Sequence, residues 1–172
     1  MPAKIIFITG VLGVGAYVAN TMMNHDPNMY AFPIAQVTEQ LRNAESTFPQ
    51  RFGGGTTVIS SSGKTANGLM LRSRSSSGGS GSACEVVIEE KEPQKTYVAL
   101  NCGDANAGDE IDKLTLQMKS VAFDEHIQAA LFNREFDADA VKKRIAGLAL
   151  ANIGNIQNGA NKRMNEAISL QK

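Results

Sequence analysis

The sequence predicts an α+β fold in which an antiparallel sheet of about five to six strands packs on a long C-terminal helix. An N-terminal hydrophobic membrane segment precedes that domain. Three observations lead there. Between residues 56 and 102, short apolar runs alternate with polar residues and are punctuated by Gly, Ser and Pro, as in strands buried on one face. From Asp137 onward the apolar residues recur every three or four positions, the period of a helix. Ile5 to Met23 carries no charge over about nineteen residues, close to the roughly 20 that cross a hydrocarbon core. The chain therefore divides into residues 1–24, an α+β domain over 25–156, and a polar, helical or mobile tail over 157–172.

The first segment supports more than one reading. With Lys4 on one flank and Asp26 on the other, a spanning segment would leave the rest of the chain outside the cytoplasm. Val14-Gly15-Ala16 offers a small-residue cleavage site, so the segment reads as a signal-anchor or a signal peptide. Thr9-Gly10-x-x-Gly13-x-x-Ala16 is similar to the glycine turn of the extended short-chain dehydrogenase family, which implies a pyrophosphate at a helix N-terminus. That fold needs repeated strand-helix units. Asn24-His25-Asp26-Pro27-Asn28 and antiparallel patterning follow instead, so the expectation is export, with membrane contact through residues 5–23.

The domain opens with a short strand over Asn28–Phe32, and Pro33 suits the first position of a helix. Ile34, Val37, Leu41 and Phe48 fall on one helical stripe. After Gly53-Gly54-Gly55 come strands over Thr56–Ser61 and Asn67–Ser75, and then a flexible Ser/Gly loop over Ser73–Ser82. Leu114, Leu116 and Met118 alternate with polar residues as a further strand, with a bulge near Lys119–Ser120 returning Val121 and Phe123 to the same face. Asp137 is the predicted N-cap of the long helix, Phe136 and Val141 its hydrophobic staple, and Gly147 a point of close approach to the sheet.

The two cysteines give the most specific expectation. Ala83 to Glu90 and Thr96 to Cys102 read as strands joined by a loop centred on Pro93. Symmetry about Pro93 sets Cys84 opposite Cys102, Val86 opposite Leu100 and Ile88 opposite Val98 on one face. Glu85 then meets Asn101 and Glu89 meets Tyr97 on the other. Directly opposed Cα atoms lie within disulfide range, and such a bond persists outside the cytosol. Two buried free thiols are the alternative.

Charge and motifs exclude more than they assign. Seventeen basic and seventeen acidic side chains balance, so no basic excess points to nucleic acid. The acidic side chains crowd residues 83–112 (Glu85, Glu89, Glu90, Glu92, Asp104, Asp109, Glu110 and Asp112), whereas the last helix leans basic. Ser62-Gly63-Lys64-Thr65 lacks the first glycine of a phosphate loop, since Val58 occupies that position. His25 and His126 have no ligand cluster around them, and His126, beside Asp124 and Glu125, reads as a surface residue. No serine sits in a GxSxG elbow. No catalytic residue, metal or cofactor is predicted.

Tyr30-Ala31-Phe32-Pro33-Ile34-Ala35-Gln36-Val37, followed by antiparallel strands and a helix over Phe136–Ile153, resembles the START-like helix-grip superfamily across about residues 28–156. The resemblance implies a sheet that wraps the final helix and leaves a cavity for an apolar ligand. On that expectation the function is binding of an apolar small molecule or lipid, with walls from Leu69, Leu71, Val86, Ile88, Val98, Leu100, Leu116, Met118, Phe123, Ile145 and Leu148. Each of these also fits a plain core. The alternatives are a structural or protein-interaction module of the cell envelope, and a hydrolase without a recognisable motif.

Overall fold

The computed structural model describes residues 26–49, 55–78, 81–103 and 110–169. The N-terminal segment, with its anchor, signal-peptide and glycine-turn readings, lies outside the described residues. Among the described residues no helix is long and apolar enough to cross a membrane.

The elements run β1 (Met29–Tyr30), α1 (Ile34–Asn43), β2 (Glu45–Pro49), β3 (Thr56–Lys64), β4 (Gly68–Ser75), β5 (Ala83–Glu92), β6 (Lys95–Asn101), α2 (Glu110–Leu131), α3 (Ala138–Ala151) and α4 (Ile153–Ser169). The strands form one six-stranded sheet in the order β1-β6-β5-β4-β3-β2, with every neighbouring pair antiparallel. β2 through β6 are a meander, and α1 carries the chain from one edge strand to the other. The α+β class and its antiparallel sheet are therefore as predicted, and the described sheet has none of the parallel pairing that a dinucleotide fold requires.

Pro33, at φ −67° and ψ 148°, stands as the N-cap of α1, one position before the predicted place. Val37 and Leu41, four residues apart, point into the core. The β5–β6 hairpin has the predicted register: Glu85 pairs with Asn101, Val86 with Leu100, Ile88 with Val98 and Glu89 with Tyr97. Its turn is Pro93–Gln94, and a bulge at Lys91 precedes it. Cys84 and Cys102 continue that register and form a disulfide, with Cα atoms 4.1 Å apart. In the chain-entropy model a loop of this size contributes about 3 kcal/mol. The bond is compatible with an extracytoplasmic location.

Three sequence expectations are corrected. α1 ends at Asn43, so Phe48 leaves the helical stripe and joins β2; a residue before proline is excluded from helical geometry, and Phe48 precedes Pro49. Residues 114–123 are not a bulged strand but part of the 22-residue helix α2. One face of α2 (Phe123, Ile127, Leu131) packs on the sheet core, while another buries Leu114 and Val121. A helix buried on two sides lacks a single stripe, so three alternating residues imitated a strand. Finally, α1 and α2, and not the helix starting at Asp137, cover the sheet. α3 packs on α2, and Val141 is its one fully buried residue among those described.

Smaller differences follow. Asp137 does cap α3, accepting from the Asp139 and Ala140 amides, but Phe136 stacks on Phe48, with centroids 4.7 Å apart and planes 8° from parallel. Gly147 has open space beside it and meets no sheet. The Ser/Gly loop is shorter than expected, because the Ser73 amide donates to the Ser82 carbonyl at 2.8 Å. The tail residues up to Ser169 are helical within α4.

Candidate functional site

The apolar wall candidates are largely one another's packing partners. Leu69, Leu71, Val86, Ile88, Val98 and Phe123 are buried in a continuous cluster, and Leu100 packs against it from a partly buried position. Leu116 and Met118 are half-buried on α2, while Ile145 and Leu148 are half-buried on α3, which lies on α2. The structure thus brings the seven sheet-side candidates together as core and sets the four helix candidates apart from them.

The best-formed concavity among the described residues lies elsewhere. A polar cleft of about 750 Å³ is bordered by Gln36, Glu39, Gln40 and Asn43 of α1 and by Ala44 to Thr47 at the start of β2. Ala129 and Ala130 of α2 and the connection Asn133 to Phe136 complete it. Four consecutive residues of β2 and its approach border the cleft, as befits the edge of a strand, since a sheet face would present alternate residues only. β2 is an edge strand, and among the described residues no backbone hydrogen bond reaches it from the side away from β3. Among the described residues, the cleft therefore runs along a ladder of peptide groups open on that side.

The far wall is built by the end of α2. Asn133 adopts a left-handed conformation, φ 48°, which Asn tolerates better than most residues. Its amide donates to the Ala130 carbonyl at 3.3 Å and the Arg134 amide donates to Ala129 at 3.0 Å, the paired bonds of a Schellman ending. The chain turns back, and Arg134 meets Glu125 of the same helix. Nη1 donates to Oε1 and Nη2 to Oε2 at 3.0 Å, while the Asp137 amide donates to Oε1 at 2.8 Å. Glu125 is almost fully buried, and the Arg134 hydrogen bonds hold its carboxyl below the usual range against the opposing effect of burial. This pair fixes the loop between α2 and α3, and with it the position of Phe136 over Phe48.

Beneath the cleft, His126 is fully buried rather than on the surface, because residues 124–126 lie on a helix that turns the imidazole toward β2. Ser46 Oγ and His126 Nδ1 are 2.8 Å apart. Nε2 has no hydrogen-bond partner among the described residues, and burial pushes the imidazole down to about 4. The neutral ring can accept a hydrogen bond from the Ser46 hydroxyl at Nδ1. However, the neighbouring carboxylate of Glu125 is engaged by Arg134, so among the described residues no group orients the second nitrogen as a catalytic triad would. The pair works as a polar lock between edge strand and helix. Gln40 contributes a second buried acceptor, Oε1, that has no partner among the described residues, at the cleft. Among the described residues there is no cluster that could hold a metal ion.

Charge at the rim comes from Glu39, Glu45 and Glu135, against Arg134, whose guanidinium is already paired. Sequence reasoning missed this site because it depends on β2, whose signal was the short run Ser46-Thr47-Phe48-Pro49. No protein-family model, curated protein or solved structure matches this chain.

Proposed function

We propose that the chain is a protein-interaction module of the cell envelope that captures an extended, basic polypeptide segment by adding it as a strand beside β2. The observation that carries this reading is a polar cleft opening along an edge of β2 that no other described strand pairs. Backbone pairing supplies affinity in such a complex, and alternate side chains supply specificity. Three rim carboxylates favour Lys and Arg in the incoming segment, and Gln40 Oε1 offers an acceptor to a donor side chain. The disulfide supports placement outside the cytoplasm, with residues 5–23 as the tether. The strand order, with β1 beside β6 and α1 linking the two edges, supports the likeness to the helix-grip superfamily, with α2 in the place of the gripped helix. Because the sheet-side wall candidates pack in one buried cluster with Val37 and Leu41 of α1 and Phe123, Ile127 and Leu131 of α2, the interaction reading takes precedence over an apolar ligand.

Panning a random heptapeptide library against the immobilised chain should return proline-free sequences enriched in Lys or Arg. The double reversal Glu39→Lys/Glu45→Lys should weaken their binding about tenfold, the sum of two exposed charge pairs. No enrichment, or affinity indifferent to the reversal, would overturn the proposal.

A further inference from the structure

α3 and α4 form an arm that runs antiparallel to α2. Arg144 Nη1 donates to Asp124 Oδ2 at 2.8 Å near one end, and Gly159 sits against Ile111 near the other. The helical ladder continues through Asn152: its amide donates to the Leu148 carbonyl at 3.2 Å, and the Ile156 amide donates to the Asn152 carbonyl at 3.0 Å. Ile145, Leu148, Asn152, Ile156 and Gly159 recur at helical spacing and are half-buried, forming the face toward α2. A second apolar stripe lies about a third of a turn away. Leu150 (71% exposed), Ile153 (57%), Met164 (57%) and Ile168 (52%) make it up, and they are four of the five exposed large apolar side chains among the described residues.

The charges beside this stripe identify what covers it. Residues 145–161 carry no charge, and they are bracketed by Lys142-Lys143-Arg144, of which Lys142 pairs with Asp139 and Arg144 with Asp124, and by Lys162-Arg163. No carboxylate occurs between Asp139 and Glu166. A second copy of the chain would bring these basic clusters against their own kind in either orientation, which disfavours self-association through the stripe. Asn152, Asn155, Gln157, Asn158 and Asn161 make the arm too polar to cross a bilayer. A basic helix with a narrow apolar stripe and uncharged amides suits the headgroup level of an anionic membrane.

We propose that the α3–α4 arm lies on an anionic bilayer surface with Leu150, Ile153, Met164 and Ile168 toward the acyl chains. The inference is independent of the cleft and of how residues 5–23 are used. The chain contains no tryptophan, so Ile153→Trp in the full chain gives a single reporter at an exposed position, and Met164→Trp gives a second along the same stripe. Each variant would be reconstituted with phosphatidylcholine vesicles and with phosphatidylcholine–phosphatidylglycerol vesicles. In the anionic vesicles brominated acyl chains should quench both reporters about twofold and acrylamide should lose access, with neither effect in the neutral ones. Lys143→Glu/Lys162→Glu should abolish the difference. Acrylamide access in both compositions, brominated-lipid quenching that ignores phosphatidylglycerol, or shielding from both quenchers, as by another protein surface, would overturn the proposal.

Discussion

Acidification from pH 7 to 4.5 should remove roughly 2–3 kcal/mol of stability through His126 alone. The imidazole titrates near its ordinary 6.5 in the unfolded chain and is held down to about 4 in the fold by burial. Between those values the unfolded chain binds the extra proton, so stability is fully present above pH 6.5 and is lost as pH falls toward 4. Glu125 also loses stabilising charge in acid, but Arg134 holds its carboxyl below its ordinary value, so its loss begins only below the ordinary carboxylate range. Denaturant unfolding of the native chain and of Ser46→Ala/His126→Phe separates the two effects. The double variant removes both members of the buried pair, which is tolerated far better than removing one. It should unfold with little pH dependence between 6.5 and 4. An unchanged slope in the double variant would assign the acid sensitivity to other groups.

Gly68→Ala should destabilise the fold by about 3 kcal/mol, a large effect for one methyl group. Gly68 pairs with Val87, and a Cβ there would overlap the Val86 carbonyl oxygen and lie 3.1 Å from the Ile88 nitrogen. Both are backbone atoms, so no rotamer change relieves the clash and β4 must move from β5. The Ile88 amide, which donates to the Asn67 carbonyl at 2.9 Å, would lose its partner. Gly147→Ala is the contrasting case. It sits inside α3 with nothing within 4 Å of the added carbon, so the helix should gain up to about 1 kcal/mol. Equal effects of the two substitutions in thermal unfolding would contradict the packing described for β4 and β5.

What the sequence made legible was local and symmetric. The β5–β6 register could be read from residue types because Val86, Ile88, Val98 and Leu100 sort to one face only when Cys84 and Cys102 oppose each other, and a slip of one residue reverses the sorting. Pro33 and Asp137 marked helix starts through their own backbone chemistry, which depends little on distant contacts. The failures share a different cause. α2 is apolar toward both the sheet and the arm, so its pattern is the sum of two stripes; its clearer signal was the absence of Gly and Pro from Glu110 to Leu131. His126 looked like a solvent-facing residue because its neighbours are Asp124 and Glu125. Those two carboxylates are drawn to Arg144 and Arg134 on other turns of chain, leaving the ring between them to face Ser46. The cleft needed β2, α1 and the end of α2 together, and no short window of sequence contains all three.

Strand addition beside β2 is tested most directly by amide hydrogen exchange, read residue by residue over Glu45–Phe48 with and without a saturating selected peptide. At a peptide concentration of about a hundred times its dissociation constant, alternate amides of β2 should slow by up to about a hundredfold, while those of α3 and α4 stay unchanged. Protection absent from β2, or confined to α1 or to the α3–α4 arm, would contradict the account.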